Sequence, residues 1–528
     1  MSARHLASYL LEAAAAHPDR PAFRDATGTA TYRAYRDESL RVAALLAAAG
    51  VVAGDRVAIA LPKGLPLYVA IHAALLVNAC YVPVDYTTPV ERGRAILADA
   101  EAAVLVTTGR SLARLTGDEG FAATDGILVA TLSRDGAPLA VTAATPWDAP
   151  AGPLSPAELD PEAAAYILYT SGSTGIPKGV VQGQRSATAF VAWAAEALAL
   201  TPDDVVPQVA SVTFDLSVFD IFAATRAAAC LVPIHERTML APVNFCRAVA
   251  SSEATVVYCV PSLVLRAARG QDLAWAALQE SRLRHIVFAG EPIDKPALRR
   301  FRPLVPDVPI HNWFGPTETN VCAFHTITDA DLAEDGPVPI GGPCPYASFD
   351  IAWDAPGGDS PRTGELLVAG ETVLTAYRNR PEDTAARIVA IGGVRHYRTG
   401  DYVFANARGA LVFVGRRDRQ VKLQGRRIQL DEIEAAFRRH LPGLEVACTL
   451  LPRDDGEPLI AAAVVGSPVP DPDTVREAAA DSLPLYMMPE RIVALDALPR
   501  TERGKIDYPR LATLLGAALA EARAGTPA

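Results

Sequence analysis

Cysteine is scarce in this sequence, and its spacing is irregular. The chain carries seven cysteines in 528 residues, and no two of them form a Cys-x-x-Cys pair. They occur at Cys80, Cys230, Cys246, Cys259, Cys322, Cys344 and Cys448. An odd and scattered set of this kind argues against a disulfide framework. We therefore expect reduced thiols and a cytoplasmic protein.

Long apolar runs are also missing. The nearest approach to one, Val69–Val84, contains His72 and Asn78, so no segment predicts a membrane span. Near the N-terminus, apolar residues recur at helical spacing and Glu12 interrupts them, a pattern that predicts an amphipathic helix and not a signal peptide. These apolar residues are Leu6, Leu10, Leu11 and Ala14.

Positive charge is in deficit. With 49 Lys and Arg against 60 Asp and Glu, the formal net charge is −11, whereas non-specific nucleic-acid binding requires a basic surface. We therefore expect no nucleic-acid partner. The 50% share of hydrophobic residues over this length predicts an extensive core divided among more than one domain.

Helix-like and strand-like segments alternate through the first part of the chain. Between residues 30 and 150, alanine- and leucine-rich stretches alternate with short runs such as Arg56–Ala60 and Ala103–Thr107. This alternation predicts βα units around a buried sheet. Further buried strands are predicted at residues 163–170, Thr255–Val260 and His285–Phe288. After residue 345, short alternating strands and Gly/Pro turns follow.

Charge density rises abruptly at residues 415–427 (GRRDRQVKLQGRR), which indicates a domain boundary. Beyond it the pattern predicts a strand, a helix at Leu430–His440, strands at Glu445–Leu450 and Leu459–Val465, a helix at Pro472–Ser482 and a final loop. A solvated linker is the alternative interpretation of the basic stretch, and it suits the individual arginines better.

Residues 169–179 (YTSGSTGIPKG) combine glycines and hydroxyl side chains directly after a predicted buried strand. Backbone N–H groups in such a loop can converge on an anion, and Lys178 adds a positive charge. The spacing differs from that of a Walker loop. Taken alone, the segment fits an ordinary Ser/Gly turn equally well.

Five further motifs follow this phosphate loop in order. They are Phe214–Ser217 (FDLS), Asn312–Thr319 (NWFGPTET), Tyr397–Asp401 (YRTGD), Gly415–Asp418 (GRRD) and Arg503–Lys505 (RGK). In order and spacing the set resembles the acyl-adenylate-forming superfamily, and within it the amino-acid adenylation domains of non-ribosomal peptide synthetases. The resemblance extends from residue 8 to residue 512 and implies an AMP-forming acid–thiol ligase that uses ATP.

The resemblance implies a nucleotide site. The residues implied to hold the β- and γ-phosphates are Thr170, Ser171, Gly172, Ser173, Thr174, Gly175 and Lys178. At the adenine, the resemblance implies Phe314, followed by Gly315, and Phe413, with Arg416 near the base. It implies Thr317 at the α-phosphate and Asp401 at the ribose hydroxyls. Glu318 is implied to help bind Mg²⁺, a hard cation that prefers oxygen ligands. By itself, Asp401 also fits a turn residue.

A domain arrangement is implied as well. It is an α/β fold whose large N-terminal domain, residues 1–417, has stacked βαβ-type sheets and a β-barrel-like subdomain. A small, mobile α+β C-terminal domain, residues 418–528, forms a lid. Asp418 is the implied hinge between two half-reactions in one active site. Rotation would withdraw Lys505 and bring the segment Lys422–Arg427 toward the entering thiol.

Lys505 is the candidate catalytic residue, although a lysine in such a polar loop is ordinarily a solvated charge. Attack of a carboxylate on the α-phosphate brings two anions together, so a cation that bridges both stabilises the transition state. The sequence departs from the family pattern at Arg503, where Asn is commoner, and at Gln184, where His usually follows the phosphate loop. We expect Gln184 to pack beneath that loop without loss of activity.

Asp215 indicates the class of substrate. In amino-acid-activating members an aspartate at this position pairs with the substrate ammonium, and an unpaired buried carboxylate would be costly. The other implied pocket residues are Leu216, Phe219, Tyr258, Val287, Ala289, Gly290, Trp313, Val321 and Cys322, with Lys505 at the substrate carboxylate. Each of these also fits a core position, above all Tyr258 and Val287, which lie farthest from a motif.

The aromatic side chains of this pocket predict a small substrate, since they leave little volume for Trp, Phe, Arg or Lys. The set resembles that of freestanding proline-activating enzymes, although Trp313 replaces their usual aliphatic residue and Val287 is a smaller change. L-Proline is the best candidate, and alanine or a smaller ring analogue of proline stays open.

The acyl acceptor is expected on another chain. No carrier motif of the LGGDS type occurs, so we expect the phosphopantetheine thiol of a discrete carrier protein in trans. An acyl- or aryl-CoA ligase is one rival, and Asp215 argues against it. A degenerate nucleotide-binding regulator is the other, against which Lys178, Glu318, Asp401 and Lys505 argue.

Overall fold

The computed structural model describes residues 5–524 apart from short stretches. The stretches left out are 125, 134–139, 153–157, 173–176, 266–272, 280, 356–360, 424, 442, 454–457, 467–470 and 502–504.

The strands of the described chain are β1 Pro21–Asp25, β2 Gly28–Thr31, β3 Arg56–Ala60, β4 Cys80–Pro83, β5 Val104–Thr108, β6 Ile127–Leu132, β7 Val141–Pro146, β8 Ala164–Thr170, β9 Lys178–Gly183, β10 Val205–Gln208, β11 Cys230–Pro233, β12 Val256–Cys259, β13 His285–Phe288, β14 Ile310–Phe314, β15 Ala323–Thr326, β16 Gly342–Pro343, β17 Ala347–Trp353, β18 Gly364–Gly370, β19 Ala376–Tyr377, β20 Ile388–Ile391, β21 Val394–Ala405, β22 Leu411–Arg416, β23 Gln420–Leu423, β24 Arg426–Gln429, β25 Glu445–Pro452, β26 Pro458–Val465 and β27 Arg491–Ala494.

The α-helices are α1 Leu6–Ala16, α2 Tyr32–Ala48, α3 Leu65–Leu76, α4 Val90–Ala100, α5 Gly109–Thr116, α6 Gln184–Ala197, α7 Leu216–Val218, α8 Ala224–Arg226, α9 Glu236–Met239, α10 Pro242–Ser251, α11 Pro261–Leu265, α12 Leu273–Gln279, α13 Lys295–Phe301, α14 Asp329–Ala333, α15 Pro381–Arg387, α16 Leu430–His440, α17 Pro472–Ala479 and α18 Tyr508–Ala524. A π-helical segment, Phe219–Ala223, joins α7 to α8.

An eight-stranded sheet forms the centre of the large N-terminal domain, in the order β19-β9-β8-β4-β3-β5-β6-β7. Its inner strands β8, β4, β3 and β5 pair in parallel. These strands are almost uniformly apolar because helices cover a parallel sheet on both faces. The predicted strands at Arg56–Ala60, Ala103–Thr107 and residues 163–170 are confirmed as β3, β5 and β8.

Three further sheets complete this domain. One has the order β12-β13-β14-β15-β16 and begins with three parallel strands, which confirms the predicted strands at Thr255–Val260 and His285–Phe288. A second has the order β10-β11-β1-β2. The part after residue 345, expected to be barrel-like, is an antiparallel sheet in the order β17-β18-β21-β20, with β22 on β21. The predicted fold class is thereby confirmed.

Helices α1, α2, α3 and α6 pack with the large sheet in one hydrophobic cluster. The predicted N-terminal helix is confirmed as α1, which buries Leu6, Leu10 and Ala14. Gln184, which we expected beneath the phosphate loop, accepts the N–H of Leu6 with its side-chain oxygen at 2.9 Å. None of the described helices is both long and apolar enough to cross a membrane.

Residues 420–524, here called the C-terminal region, form the smaller domain. The hairpin β23–β24 and the sheet β25-β26-β27 pack with α16, α17 and α18. The predicted helix Leu430–His440 is confirmed, and α17 ends three residues before the predicted Ser482. The predicted final loop is wrong, since α18 occupies that segment and buries Leu511 and Leu515 against β25 and β26. The two leucines are four residues apart and so share one helix face.

Candidate active site

A cavity of about 1260 Å³ opens where strands of both parallel sheets end. Residues that directly follow β3, β4, β8, β13 and β14 line it, and the β23–β24 hairpin covers it. Ligands of open α/β sheets bind at such carboxyl ends.

The cavity brings many of the predicted residues together. Those in its wall are Thr170, Ser171, Asp215, Leu216, Tyr258, Ala289, Gly290, Gly315, Thr317, Val321, Asp401 and Arg416. The described candidates outside the wall are Gly172, Lys178, Phe219, Val287, Trp313, Phe314, Glu318, Cys322, Phe413, Asp418 and Lys505. Ser173, Thr174 and Gly175 lie outside the described residues.

The two phenylalanines predicted at the adenine lie side by side. The ring centroids of Phe314 and Phe413 are 5.8 Å apart, with 41° between the planes. The ammonium of Lys422 lies 5.1 Å from the first centroid and 5.8 Å from the second. Removal from water lowers the pKa of Lys422, and the negative charge of Asp401 opposes that shift.

Asp401 has one paired oxygen and one unpaired oxygen. The residue is 1% exposed; its Oδ1 accepts from Arg416 at 2.8 Å, whereas the buried Oδ2 has no hydrogen-bond partner among the described residues. Arg416 also donates to both oxygens of Asp418, at 2.8 and 2.7 Å. One guanidinium therefore links the predicted ribose acceptor to the predicted hinge.

Glu318, the predicted metal ligand, is engaged by two side chains. Its Oε1 accepts from the Tyr377 hydroxyl at 2.7 Å and its Oε2 from Arg427 at 2.6 Å. Burial alone would raise the pKa of Glu318, but the Arg427 guanidinium and the Tyr377 hydroxyl lower it to about 2. The solvated-linker interpretation is thus wrong for Arg427, whose side chain is 14% exposed.

The phosphate loop contacts the C-terminal region at two consecutive residues. Ser171 Oγ donates to the carbonyl of Arg427 at 2.7 Å and accepts from the N–H of Gln429 at 3.1 Å. The N–H of Gly172 donates to Oε2 of Glu432 at 3.0 Å, and the other carboxylate oxygen pairs with Arg92. Sequence reasoning missed Arg92, Tyr377 and Glu432, because their partners are distant in the chain.

Asp215 lies half-buried in the cavity wall. Burial raises the pKa of its carboxyl and the nearby charge of Glu318 adds to the shift, while the Thr317 hydroxyl and the Lys422 ammonium act against it. The other predicted pocket residues that line the cavity are uncharged: Leu216, Tyr258, Ala289, Gly290 and Val321. Among the predicted pocket residues in the wall, Asp215 is therefore the one with a charged side chain.

A layer of aromatic rings supports that wall from behind. Tyr258, which lines the cavity, has Phe219 at 5.1 Å and Trp313 at 5.4 Å between centroids. Trp313 is 2% exposed and packs in turn on Trp193 at 4.8 Å. Phe219 and Trp313 therefore shape the pocket through Tyr258, as does the fully buried Val287, which pairs with Tyr258 across the sheet. Cys322 is also fully buried.

The C-terminal region presents its hairpin, and not Lys505, to the cavity. Lys505 is exposed, and its backbone carbonyl accepts the N–H of Thr501 at 2.7 Å. Gly425, with φ +72°, donates its N–H to Glu291 at 2.5 Å, and a Cβ there would lie 2.2 Å from Val260. Glycine is therefore required for this close approach. We call this placement of the hairpin the docked arrangement.

Comparisons with known proteins agree with this geometry. A family model described as "AMP-binding enzyme" matches residues 10–378, and one described as "AMP-binding enzyme C-terminal domain" matches residues 432–505. A protein named L-proline--[L-prolyl-carrier protein] ligase from Streptomyces coelicolor is 37% identical over 518 residues, which cover 95% of this chain and 94% of the relative. Its namesake from Pseudomonas fluorescens is 32% identical and covers 94% and 97%.

A solved structure of a non-ribosomal peptide synthetase protein, with adenylation and PCP domains bound to a vinylsulfonamide inhibitor, superposes with a TM-score of 0.77. It is 25% identical and covers 97% of this chain and 84% of the other. With motifs, fold and site geometry in agreement, the chain belongs to the AMP-binding enzymes, the acyl-adenylate-forming superfamily of ligases.

Proposed function

We propose that this protein activates a small amino acid, L-proline in the first place, as aminoacyl-AMP and transfers it to the phosphopantetheine thiol of a separate carrier protein. The observation that carries the proposal is the half-buried carboxylate of Asp215, the one charged side chain among the predicted pocket residues in the cavity wall. An ammonium group placed there would stabilise the ionised carboxylate, which burial disfavours.

This carboxylate weighs against the first rival, an acyl- or aryl-CoA ligase. A fatty or aromatic acid has no ammonium group, so its binding would leave Asp215 desolvated without a partner, which is costly. The second rival, a regulator without activity, is disfavoured by the nucleotide side. There Asp401 offers a buried, unpaired carboxylate oxygen, a suitable acceptor for a ribose hydroxyl.

ATP would lie between Phe314 and Phe413 at its base and the phosphate loop at its phosphates. Glu318 would hold Mg²⁺, because a single carboxylate together with phosphate oxygens is the ligand set that this ion prefers. The ion would neutralise phosphate charge when bound. Lys178, whose ammonium pairs with Asp383 at 3.0 Å, would turn to the departing pyrophosphate.

Two placements of the lid domain, residues 418–528, would serve the two half-reactions. In the first, Lys505 would bridge the substrate carboxylate and the α-phosphate. In the second, the docked arrangement, the segment Lys422–Arg427 takes that place and the thiol enters. Asp418 would be the pivot, since its partner Arg416 belongs to the large domain and also holds Asp401.

Substrate size follows from the aromatic wall. Tyr258, braced by Phe219 and Trp313, limits the depth of the pocket beside Asp215. A five-membered ring fits an apolar wall of this kind. Two relatives named for proline, each similar to this chain over nearly its whole length, support that choice. Alanine and azetidine-2-carboxylate are the alternative substrates.

The mouth of the cavity supports a protein partner. Leu240 and Leu485 line it and are 84% and 88% exposed, the largest such fractions among the described hydrophobic side chains. A carrier protein that delivers its thiol through the mouth would cover both leucines.

The test is ATP–pyrophosphate exchange with the proteinogenic amino acids, azetidine-2-carboxylate and β-amino acids. We expect strongest exchange with L-proline. Product analysis with CoA and with a phosphopantetheinylated carrier protein then identifies the acceptor, and we expect thioester on the carrier. Exchange with no amino acid at all, or preferential use of CoA, would contradict the proposal.

A further inference from the structure

The docked arrangement places an acidic side chain on the phosphate loop. Glu432, in the first turn of α16, is 2% exposed, and its Oε2 accepts the N–H of Gly172 at 3.0 Å. Its other oxygen pairs with Arg92 of α4, whose side chain is 8% exposed. An anion from the C-terminal region thus occupies a backbone donor of the loop, and a cation of the N-terminal domain neutralises it.

Two neighbouring contacts follow the same pattern. The hydroxyl of Ser171 is hydrogen-bonded to the backbone of Arg427 and Gln429. The carboxylate of Glu318 accepts a hydrogen bond from the Arg427 guanidinium. All of these groups belong to the set that the proposed function assigns to the phosphates and their metal ion. In the docked arrangement the C-terminal region therefore satisfies these groups itself.

We propose that Glu432 is an internal substitute for a phosphate group, so that pyrophosphate and the docked arrangement exclude each other. The inference rests on the proposed function for the identity of the anion, and it adds regulation to the same site. Two anions cannot share the Gly172 N–H, because each desolvates the other and like charges repel. Pyrophosphate must therefore leave before the C-terminal region docks.

The exclusion has a reciprocal consequence. If docking weakens pyrophosphate binding by some factor, pyrophosphate lowers the docking equilibrium by the same factor. Glu432 would thus act as a positioning residue for thioester formation alone. It would contribute nothing to adenylation, in which the phosphates themselves occupy the loop.

Docking can be measured without any substrate. Ser482 in the C-terminal region donates its hydroxyl to Glu91 of α4 at 2.5 Å, so this pair reports on the docked arrangement. In the variant Glu91→Cys/Ser482→Cys, oxidation should form a disulfide only when the two cysteines meet. All seven native cysteines are buried, which limits side reactions. The measured quantity is the initial rate of disulfide formation, with and without magnesium pyrophosphate.

A matched pair of substitutions isolates Glu432. Glu432→Gln removes the charge that spans the two domains. Glu434→Gln removes an equally buried charge that stays within the C-terminal region, where Glu434 pairs with Arg419 at 2.7 Å and accepts the N–H of Cys448. If Glu432→Gln fails to fold, Arg92→Gln removes the same ion pair from the other side. Sodium sulfate at equal ionic strength controls for screening.

We expect pyrophosphate to slow disulfide formation at least about fivefold when Glu432 is intact. Glu432→Gln should lower the rate about tenfold without pyrophosphate and remove most of the sensitivity to it, while Glu434→Gln should keep that sensitivity. The same slowing by pyrophosphate in both variants, or none with Glu432 intact, would overturn the inference. The readout uses no amino-acid substrate and no carrier protein, so it stands even if the assignment of proline or of the carrier protein proves to be wrong.

Discussion

The two halves of the cavity neutralise their charges in different ways. On the nucleotide side, each acidic group has a basic partner on the protein: Glu318 pairs with Arg427, Asp401 with Arg416, and Glu432 with Arg92. On the amino-acid side, Asp215 lies among uncharged predicted pocket residues, and burial raises its pKa. The acidic groups of the first half are thus paired with basic side chains, whereas the ionised form of Asp215 is disfavoured by burial and would be stabilised by a cation.

Because of this difference, binding energy is available mainly on the amino-acid side. A ligand that displaces an existing ion pair gains little, because the protein must first give up that pair. A ligand that brings an ammonium group to Asp215 gains an ion pair without first breaking one. The nucleotide side is therefore suited to exchange of partners between two half-reactions, and the amino-acid side to selection of a substrate.

The largest effect should come from Lys505 and Lys422, which the proposed function assigns to different half-reactions. Lys505→Ala should lower adenylate formation about a thousandfold, because the cation that bridges two anions is lost. Transfer from preformed aminoacyl-AMP should fall much less. Lys422→Ala, the matched control, should show the opposite pattern. Single-turnover rates of the two steps measure both, and an equal loss in both steps would contradict the assignment of Lys505.

The next largest effect should come from the amino-acid side. Asp215→Asn keeps the shape and removes the charge, so amino-acid-dependent exchange should fall by about a hundredfold or more. The matched control is Asp220→Asn, since Asp220 lies outside the cavity wall and accepts the N–H of Val209 at 3.1 Å. If both variants lose exchange to the same extent, loss of fold and not loss of the ion pair explains Asp215→Asn.

A pH dependence follows from the raised pKa of Asp215. A carboxyl whose pKa is higher in the folded state binds more protons there, so the free energy of unfolding of the unliganded protein declines as pH rises from the ordinary aspartate pKa to the raised one, by about 1.4 kcal/mol per unit. Asp215→Asn should lack this slope. Amino-acid affinity should rise over the same interval, because only the ionised carboxylate pairs with the ammonium. Melting temperatures at several pH values, with and without L-proline, check both signs.

The smallest effect concerns the support behind Tyr258. Trp313→Leu should lower the free energy of unfolding by about 2–3 kcal/mol and let Tyr258 retreat, so that larger apolar amino acids are accepted. The preference for proline over a larger apolar amino acid should shift by about 1–3 kcal/mol, because the change alters only how well an apolar side chain fills the pocket. Trp193→Leu, one layer farther out, should cost stability without changing preference. ATP–pyrophosphate exchange with proline and with leucine measures this preference. An unchanged preference in Trp313→Leu would show that Trp313 does not determine specificity.

The sequence predicts groups that lie close along the chain better than groups that meet across it. Asp215, Asp401 and the phosphate loop each belong to a short motif, so their place in the site could be inferred. The pair Arg427–Glu318 joins residues 109 positions apart, and Gly172–Glu432 joins residues 260 apart. Such pairs depend on how the C-terminal region packs against the rest of the chain, and no local pattern encodes that packing.

Burial patterns limited the prediction in two other places. Every residue of β14 is buried, so the alternation that separates two faces of a strand cannot tell that Trp313 supports the wall from behind. Helix α18 was missed, although Leu511 and Leu515 mark its buried face. Its many alanines make the apolar stripe broad and its edges indistinct.

Selection for an ammonium group by Asp215 can be measured with one pair of acids. Cyclopentanecarboxylate has nearly the shape of L-proline but no charged nitrogen. In ATP–pyrophosphate exchange, the unmodified protein should prefer proline to this acid by about a hundredfold or more, and Asp215→Asn should lose most of that preference. Equal use of both acids by the unmodified protein, or an undiminished preference in Asp215→Asn, would contradict the account.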